Sequence, residues 1–186
     1  MSKFVVIILL LGVICNADAK DLKGSFAIKG VGTLTCQMFL DAAASDAVIL
    51  QQYAGYVTGY VSAFNELSNE TFDLLPWQQL DTYMLLLLQQ CKEKPQVTVG
   101  SAVSQIARYF KAKKIKVAAQ TIEIKGAGIK LHFYPEVVRQ IKTELKRKGY
   151  DTSDIWQAMV QFKQDNSLKG KHPFEQLILM KLLYGK

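Results

Sequence analysis

The first residues of this chain decide which covalent bonds the rest of it can use. Lys3 precedes an uninterrupted apolar run from Phe4 to Cys15, and Ala17-Asp18-Ala19 then stands ahead of Lys20. This charged, apolar, small-residue order is what a signal peptidase reads, so residues 1–19 are expected to be a secretory signal peptide cleaved after Ala19. A transmembrane anchor needs about 20 apolar residues, and this run is shorter. Lipidation at Cys15 is disfavoured, because Ile14 stands where a lipoprotein signal carries a small residue. Export, read here as delivery to a bacterial periplasm, places the mature chain where thiols are oxidised. Cleavage removes Cys15 and leaves two cysteines, Cys36 and Cys91, which are expected to close one bridge.

What remains is long enough for one ordinary domain or two very small ones, and charge favours two. Residues 20–110 carry six Lys/Arg against eight Asp/Glu, while residues 111–186 carry sixteen against seven. The overall charge of +7 is therefore held by the C-terminal part, where it suits an anionic polymer or an acidic partner surface.

Apolar spacing after Cys36 is helical. Asp46 is placed to cap a helix whose Tyr53, Tyr56, Val57, Tyr60, Val61 and Phe64 share one broad face, read as core. Gly55, Gly59 and Ala63 recur every fourth residue on that helix, and helical glycines at a cost of about 1 kcal/mol each suggest a neighbour packed close to the backbone. Pro76-Trp77 is expected to open a second helix, whose run from Tyr83 to Leu88 calls for burial on nearly every side, either in a core or at a subunit contact, until Lys94-Pro95 ends it. A further amphipathic helix runs from Val99 to Phe110. The basic stretch Lys111, Lys113, Lys114 and Lys116 is read as solvated.

The period then changes. Ile122 and Ile124, the turn Gly126-Ala127-Gly128, and Ile129, Leu131 and Phe133 read as a hairpin or an extended linker pair. Pro135 restarts helix, with Val138, Ile141 and Leu145 on one face and Gly149 as its stop. Ser153 or Asp154 caps a helix through Trp156, Met159 and Phe162, and a last helix holds Phe174, Leu177, Ile178, Met180, Leu182 and Leu183. The expected fold is mainly α: two small helical domains joined by a short β-hairpin or extended linker. The divisions are residues 20–112 for a disulfide-bonded helical domain, 113–134 for a basic linker with the hairpin, and 135–186 for a three-helix domain.

Val138, Ile141, Lys142, Leu145, Gly149 and Tyr150, followed by Ala158, Met159, Phe162, Lys163 and Leu168, follow the register of the peptidoglycan-binding-like domain of cell-wall enzymes, which this stretch resembles. Two features depart from that family. Its Asp-Gly-x-Phe-Gly turn is replaced by the shorter Asp151-Thr152-Ser153-Asp154-Ile155, and both of its glutamines are lysines, Lys142 and Lys163. Thr35-Cys36-x-x-Phe39, Gly55-Tyr56-x-x-Gly59-Tyr60 and Cys91-x-x-x-Pro95 followed by Val99 and Val103 are similar to the HdeA-type periplasmic acid chaperones and the related immunity proteins against cell-wall amidases. That resemblance implies a compact helical unit, often a homodimer, with the two cysteines bridged.

Catalytic chemistry finds no motif. His132 and His172 stand in a strand-like segment and beside Pro173, outside any HExxH or His/Cys cluster, and each reads as surface or structural. No phosphate loop or Gly-x-Ser-x-Gly elbow occurs, and Asp151 and Asp154 read as caps. No metal, cofactor or nucleic-acid partner is expected. If a polymer is bound, Arg139, Lys142, Tyr150 and Trp156 are the residues expected to meet it, because aromatic faces stack on sugar rings and cations meet stem-peptide carboxylates. The chain is thus expected to be a non-enzymatic periplasmic envelope protein, without a transmembrane segment once the signal is removed. It would bind an envelope protein partner and dock on peptidoglycan or on an assembly such as a secretion system. The alternatives are an acid-stress chaperone and an immunity protein that inhibits an amidase.

Overall fold

A computed structural model describes residues 25–45 and 47–185, so the expected signal peptide, Cys15 and the Asp46 cap lie outside the described residues. The described chain is mainly helical, with one two-stranded hairpin between two groups of helices. A 3-10 turn at Gly30–Thr33 leads into α1 (Cys36–Ser45), α2 (Ala47–Leu67), α3 (Leu80–Glu93) and α4 (Val99–Phe110). The hairpin is β1 (Ile122–Gly126) and β2 (Ile129–Phe133), and α5 (Pro135–Arg147), α6 (Ile155–Asp165) and α7 (Gln176–Tyr184) follow it.

The Cys36–Cys91 disulfide is formed, joining the first residue of α1 to the end of α3 with both cysteines fully buried. Backbone pairing next to it ties the entrance of α1 to the entrance of α4. The Cys36 N–H donates to Val97 O at 2.8 Å, Gln37 N–H to Pro95 O at 2.9 Å, and Val99 N–H to Leu34 O at 2.9 Å. Phe39, Tyr53, Val57, Leu74, Tyr83, Leu87 and Phe110 pack around this cross-link as a first apolar cluster. Within it the Tyr83 hydroxyl donates to Val103 O at 2.8 Å, which satisfies the one polar atom its burial would otherwise strand.

The hairpin closes through Gly126 paired with Ile129, and both turn residues, Ala127 and Gly128, have positive φ. That is the two-residue connection whose twist matches the strands. Ile124, Leu131 and Phe133 face a second apolar cluster built with Val137, Ile141, Leu145, Trp156, Met159, Phe162, Phe174 and Leu179. The indole of Trp156 lies flat against Gly126, where a Cβ would fall 2.2 Å from the ring, so no larger residue fits at that position. Helix α5 ends in a Schellman motif, with Tyr150 N–H donating to Leu145 O and Gly149 N–H to Lys146 O while Gly149 holds φ +90°. Of the two possible caps of α6 it is Asp154 that acts, accepting from the N–H groups of Trp156 and Gln157.

Three local expectations change. Helix α3 starts at Leu80, not at Pro76-Trp77. Residues 68–79 form an irregular loop in which Leu74 is buried in the first cluster and Trp77 in the second, and a helix starting at Pro76 would not let Trp77 reach across. Within the single chain the Leu-rich helix is not buried all round: Tyr83, Leu87 and Cys91 are in the core and Met84, Leu86 and Leu88 are partly covered, while Leu80 and Leu85 are 41% and 54% exposed. A Cβ added to Gly55 or Gly59 would meet no atom within 4 Å, and with Ala63 these glycines face outward, so among the described residues no helix packs on that stripe.

The stretch from Lys111 to Lys116 is equally not a free linker. Ile115 is buried in the second cluster, and its backbone exchanges hydrogen bonds of 2.9 and 3.2 Å with Asp73. Gln176 of α7 completes the joint. Its Oε1 accepts from Gln79 N–H and from the Thr82 hydroxyl, both at 3.0 Å, and its Nε2 donates to Trp77 O at 2.7 Å. The residue preceding α3, Gln79, makes no side-chain cap of its own, so the cap of α3 is delivered from a helix nearly a hundred residues away.

Two outcomes follow from these constraints. Cys36→Ser with Cys91→Ser, or reduction of the native protein, frees a loop with a sequence separation of 55. It is expected to cost about 4 kcal/mol of unfolding free energy in the chain-entropy account, measured by denaturant titration with and without reductant. Gln176→Ala removes the remote cap and strands the Trp77 carbonyl. It is expected to cost about 2 kcal/mol and to split the single unfolding transition into two, followed by circular dichroism and tryptophan fluorescence together.

Candidate functional site

Three surfaces carry chemistry beyond packing, and the first is basic. Arg139 and Lys142 lie on the outer side of α5 with Lys146 one turn on, and Arg139 is clamped by Glu136, with Nε to Oε2 at 2.8 Å. Lys111–Lys116 runs alongside this helix, because Gln140 Nε2 donates to Lys113 O at 3.2 Å and Lys113 Nζ pairs with Glu144 Oε1 at 3.1 Å. Glu144 also holds Arg147 at 2.8 Å, so one half-buried carboxylate organises two cations from separate segments. Lys114 donates to Asn69 O and the Thr71 hydroxyl, and Lys116 pairs with Glu70 at 2.7 Å. Partial burial and then repulsion from Lys111 lower the Lys114 pKa, with Glu70 opposing and Lys116 adding.

The other two residues expected to meet a polymer sit differently. Tyr150 is half-buried and packs edge-on against Phe162 at 5.9 Å, and Trp156 is inside the second cluster, 5.5 Å from Phe174. Arg139 and Lys142 therefore share a face, while the ring of Trp156 offers no open stacking surface. Asp151 accepts from the N–H and hydroxyl of Ser153 and Asp154 caps α6, so both carboxylates are spent on turns.

The second surface is an apolar groove of about 600 Å³ in the helical half, lined by Phe39, Ala47, Leu50, Met84, Leu85 and Leu88 with Asp81 as its acid. It is the direct consequence of a leucine run with one side left open.

The third is a cleft of about 440 Å³ at the joint, lined by Trp77 and Gln79 from the loop before α3, by Leu131, His132 and Phe133 of β2, and by His172, Phe174, Glu175, Gln176 and Leu177. Along the chain the two histidines stand forty residues apart with no motif to connect them. The structure brings both to the same cleft, and nothing in the local sequence announces it. Among the described residues no group of three His, Cys, Asp or Glu is arranged to hold a metal ion, and no helix is long and apolar enough to cross a membrane.

Comparison with protein-family models, with curated proteins and with solved structures finds no match for this chain.

The acid response of the basic edge follows from its carboxylates. Burial raises the Glu144 pKa, but hydrogen bonds from Arg147 and Lys113 outweigh it and leave the group below its ordinary value of 4.5. Glu70 is lowered chiefly by its hydrogen bond from Lys116, and Glu136 by that from Arg139. A carboxyl lowered on folding stabilises the native state above its unfolded pKa and loses that contribution as pH falls through the folded value. Stability is therefore expected to hold from neutral pH down to the ordinary glutamate range and to decline below it. Glu144→Gln should flatten that decline, read from melting temperatures across the acid range.

Proposed function

We propose that this protein is an exported, non-enzymatic binding protein of the bacterial cell envelope, docking on an anionic envelope polymer through its C-terminal half and holding a protein partner with its helical half. The observation that supports this best is the basic edge formed by α5 and residues 111–116, where the positive charges remain in excess after every ion pair is made. Stem-peptide carboxylates of peptidoglycan supply the complementary charge, and Arg139 and Lys142 stand on the outer face where a polymer would lie. The disulfide belongs with an oxidising compartment, in keeping with export to the periplasm. In the helical half, the apolar groove with Asp81 on its wall suits an amphipathic partner helix bearing a basic flank.

The acid-chaperone reading has one observation in its favour: the ion pairs of Lys113 and Lys116 with Glu144 and Glu70 stitch a seam that protonation would loosen. It accounts less well for the excess of positive charge.

Co-sedimentation with purified sacculi tests the main reading. The protein is expected to pellet at about 20 mM salt and to be released by about 300 mM, where screening is severe. Lys142→Glu with Lys146→Glu should abolish pelleting without altering the melting temperature. A chain that stays in the supernatant at low salt does not dock on the wall.

A further inference from the structure

Where α6 meets the hairpin turn and the loop leading to α7, the surface folds into a pocket of about 280 Å³. Its floor is aliphatic: Ala127 and Ile129 come from the hairpin, Val160 from α6, and Leu168 and Pro173 from the loop. Ile129, Val160 and Leu168 pack against the second cluster while staying only partly buried, so each has apolar surface left to offer. The Trp156 ring beneath them is turned onto Gly126 and Phe174, and it serves as wall, not as a stacking face. At the small end of the range for ligand sites, the pocket has room for a compact molecule.

Every ionisable side chain on this wall is a base: Lys163, Lys171 and His172. Lys163 Nζ donates to Gly170 O, a carbonyl, which positions the ammonium while leaving its charge and two of its N–H groups unspent. Lys171 is exposed, and among the described residues neither lysine is paired with a carboxylate. Glu175, the acid of the same loop, lines the joint cleft instead, and its Oε1 accepts from the backbone N–H groups of Lys171 and His172. The side chains of Gln164 and Ser167 add neutral donors that make no hydrogen bond among the described residues.

The end of a helix repels anions through its free carbonyls, but those of α6 are covered. Asn166 N–H donates to Phe162 O, Leu168 N–H to Lys163 O and Ser167 N–H to Gln164 O. The ground beyond the pocket limits what can sit in it. Val160 and Gln164 also line a second hollow, whose charged residues are Asp151, Asp154 and Asp165. A polyanion lying along α6 would leave the lysines and run onto carboxylates, so the pocket suits a single anionic group.

We propose that this pocket binds one carboxylate carried on a short aliphatic body, the carboxylate set between Lys163 and Lys171 and the body resting on Ile129, Val160 and Leu168. The free C-terminus of a peptide ending in a small aliphatic residue and a free branched-chain acid share this chemistry. The site goes beyond the wall-docking reading and stands on different residues.

Trp156 lines the pocket and is one of two tryptophans, so its indole N–H signal reports occupancy in a ¹H–¹⁵N spectrum. Titration with N-acetylvaline is expected to shift that signal saturably. N-acetylvaline amide keeps the body and loses the charge, and it should bind about tenfold more weakly. Inorganic phosphate keeps charge without the body, and it should compete about tenfold less well. 3-Methylbutanoate separates the two sources: weaker binding than N-acetylvaline indicates a peptide terminus, and equal or tighter binding a free acid. Lys171→Gln changes an exposed side chain and is expected to weaken binding about fivefold at an unchanged melting temperature. Lys163→Met, which keeps the apolar stem and removes the charge, should weaken it by a similar factor. Lys142→Glu with Lys146→Glu, the pair that abolishes wall docking, should leave it unchanged. The proposal is overturned if the amide binds as well as the acid, if phosphate competes equally, if neither lysine variant alters affinity, or if the α5 pair abolishes it.

Discussion

The loop between α2 and α3 has to serve two interiors at once, and the rest of the molecule is arranged around that demand. Leu74 and Trp77 are three residues apart, yet one is buried in the first cluster and the other, beside Tyr184 of α7, in the second. A regular helix cannot supply both directions while also turning the chain into α3. The loop is therefore irregular, and several of its backbone groups find partners outside a helix ladder: Asn65 Oδ1 accepts from Leu74 N–H, Asp73 Oδ1 from Leu75 N–H, and Ile115 and Gln176 take others. Most of these contacts join the loop to another segment, so the two clusters are locked through it. Tyr184 and Met180 of α7 extend the lock by packing against both.

The disulfide acts on a different part of the same problem. A small helical unit buries too little of its unfolded surface to be stable with ease. Closing the loop from Cys36 to Cys91 restricts the unfolded chain, and it does so beside the short backbone pairing of residues 34–37 with 95–99. With α1, α3 and the start of α4 held together, α3 need not be covered on its outer side. Leu80 and Leu85 remain open to solvent, and the groove beside them is a consequence of the covalent tie in the core.

How much of this is legible in the sequence depends on distance along the chain. The start of α5 at Pro135 and its stop at Gly149 are legible, and the hairpin and the cap of α6 are narrowed to two choices each, because each is written in residues within a few positions of one another. The bridge is legible because removal of the expected signal leaves only two cysteines. The start of α3 is not, since its cap comes from Gln176 and since Trp77, which looks like a helix opener beside Pro76, belongs to the other cluster. The glycine stripe misleads and the leucine run is only half legible for a related reason: composition shows that a face is apolar or small, but not what covers it. Trp156 is likewise ambiguous, and its contacts with Gly126 of the hairpin and with Phe174 place it inside.

The basic edge and the histidine cleft differ in what they ask of the fold. Lysines on α5 and on residues 111–116 act mainly through summed charge, so modest shifts of those segments leave the surface serviceable. The cleft depends on position, because its walls come from the loop, β2 and the start of α7. Trp77 and Gln176, which lock the two clusters together, are also part of its lining. The groove on α3 lies in the disulfide-held half and shares no lining residue with the cleft. The two are linked through the loop between them and through the bond from the Thr82 hydroxyl of α3 to Gln176.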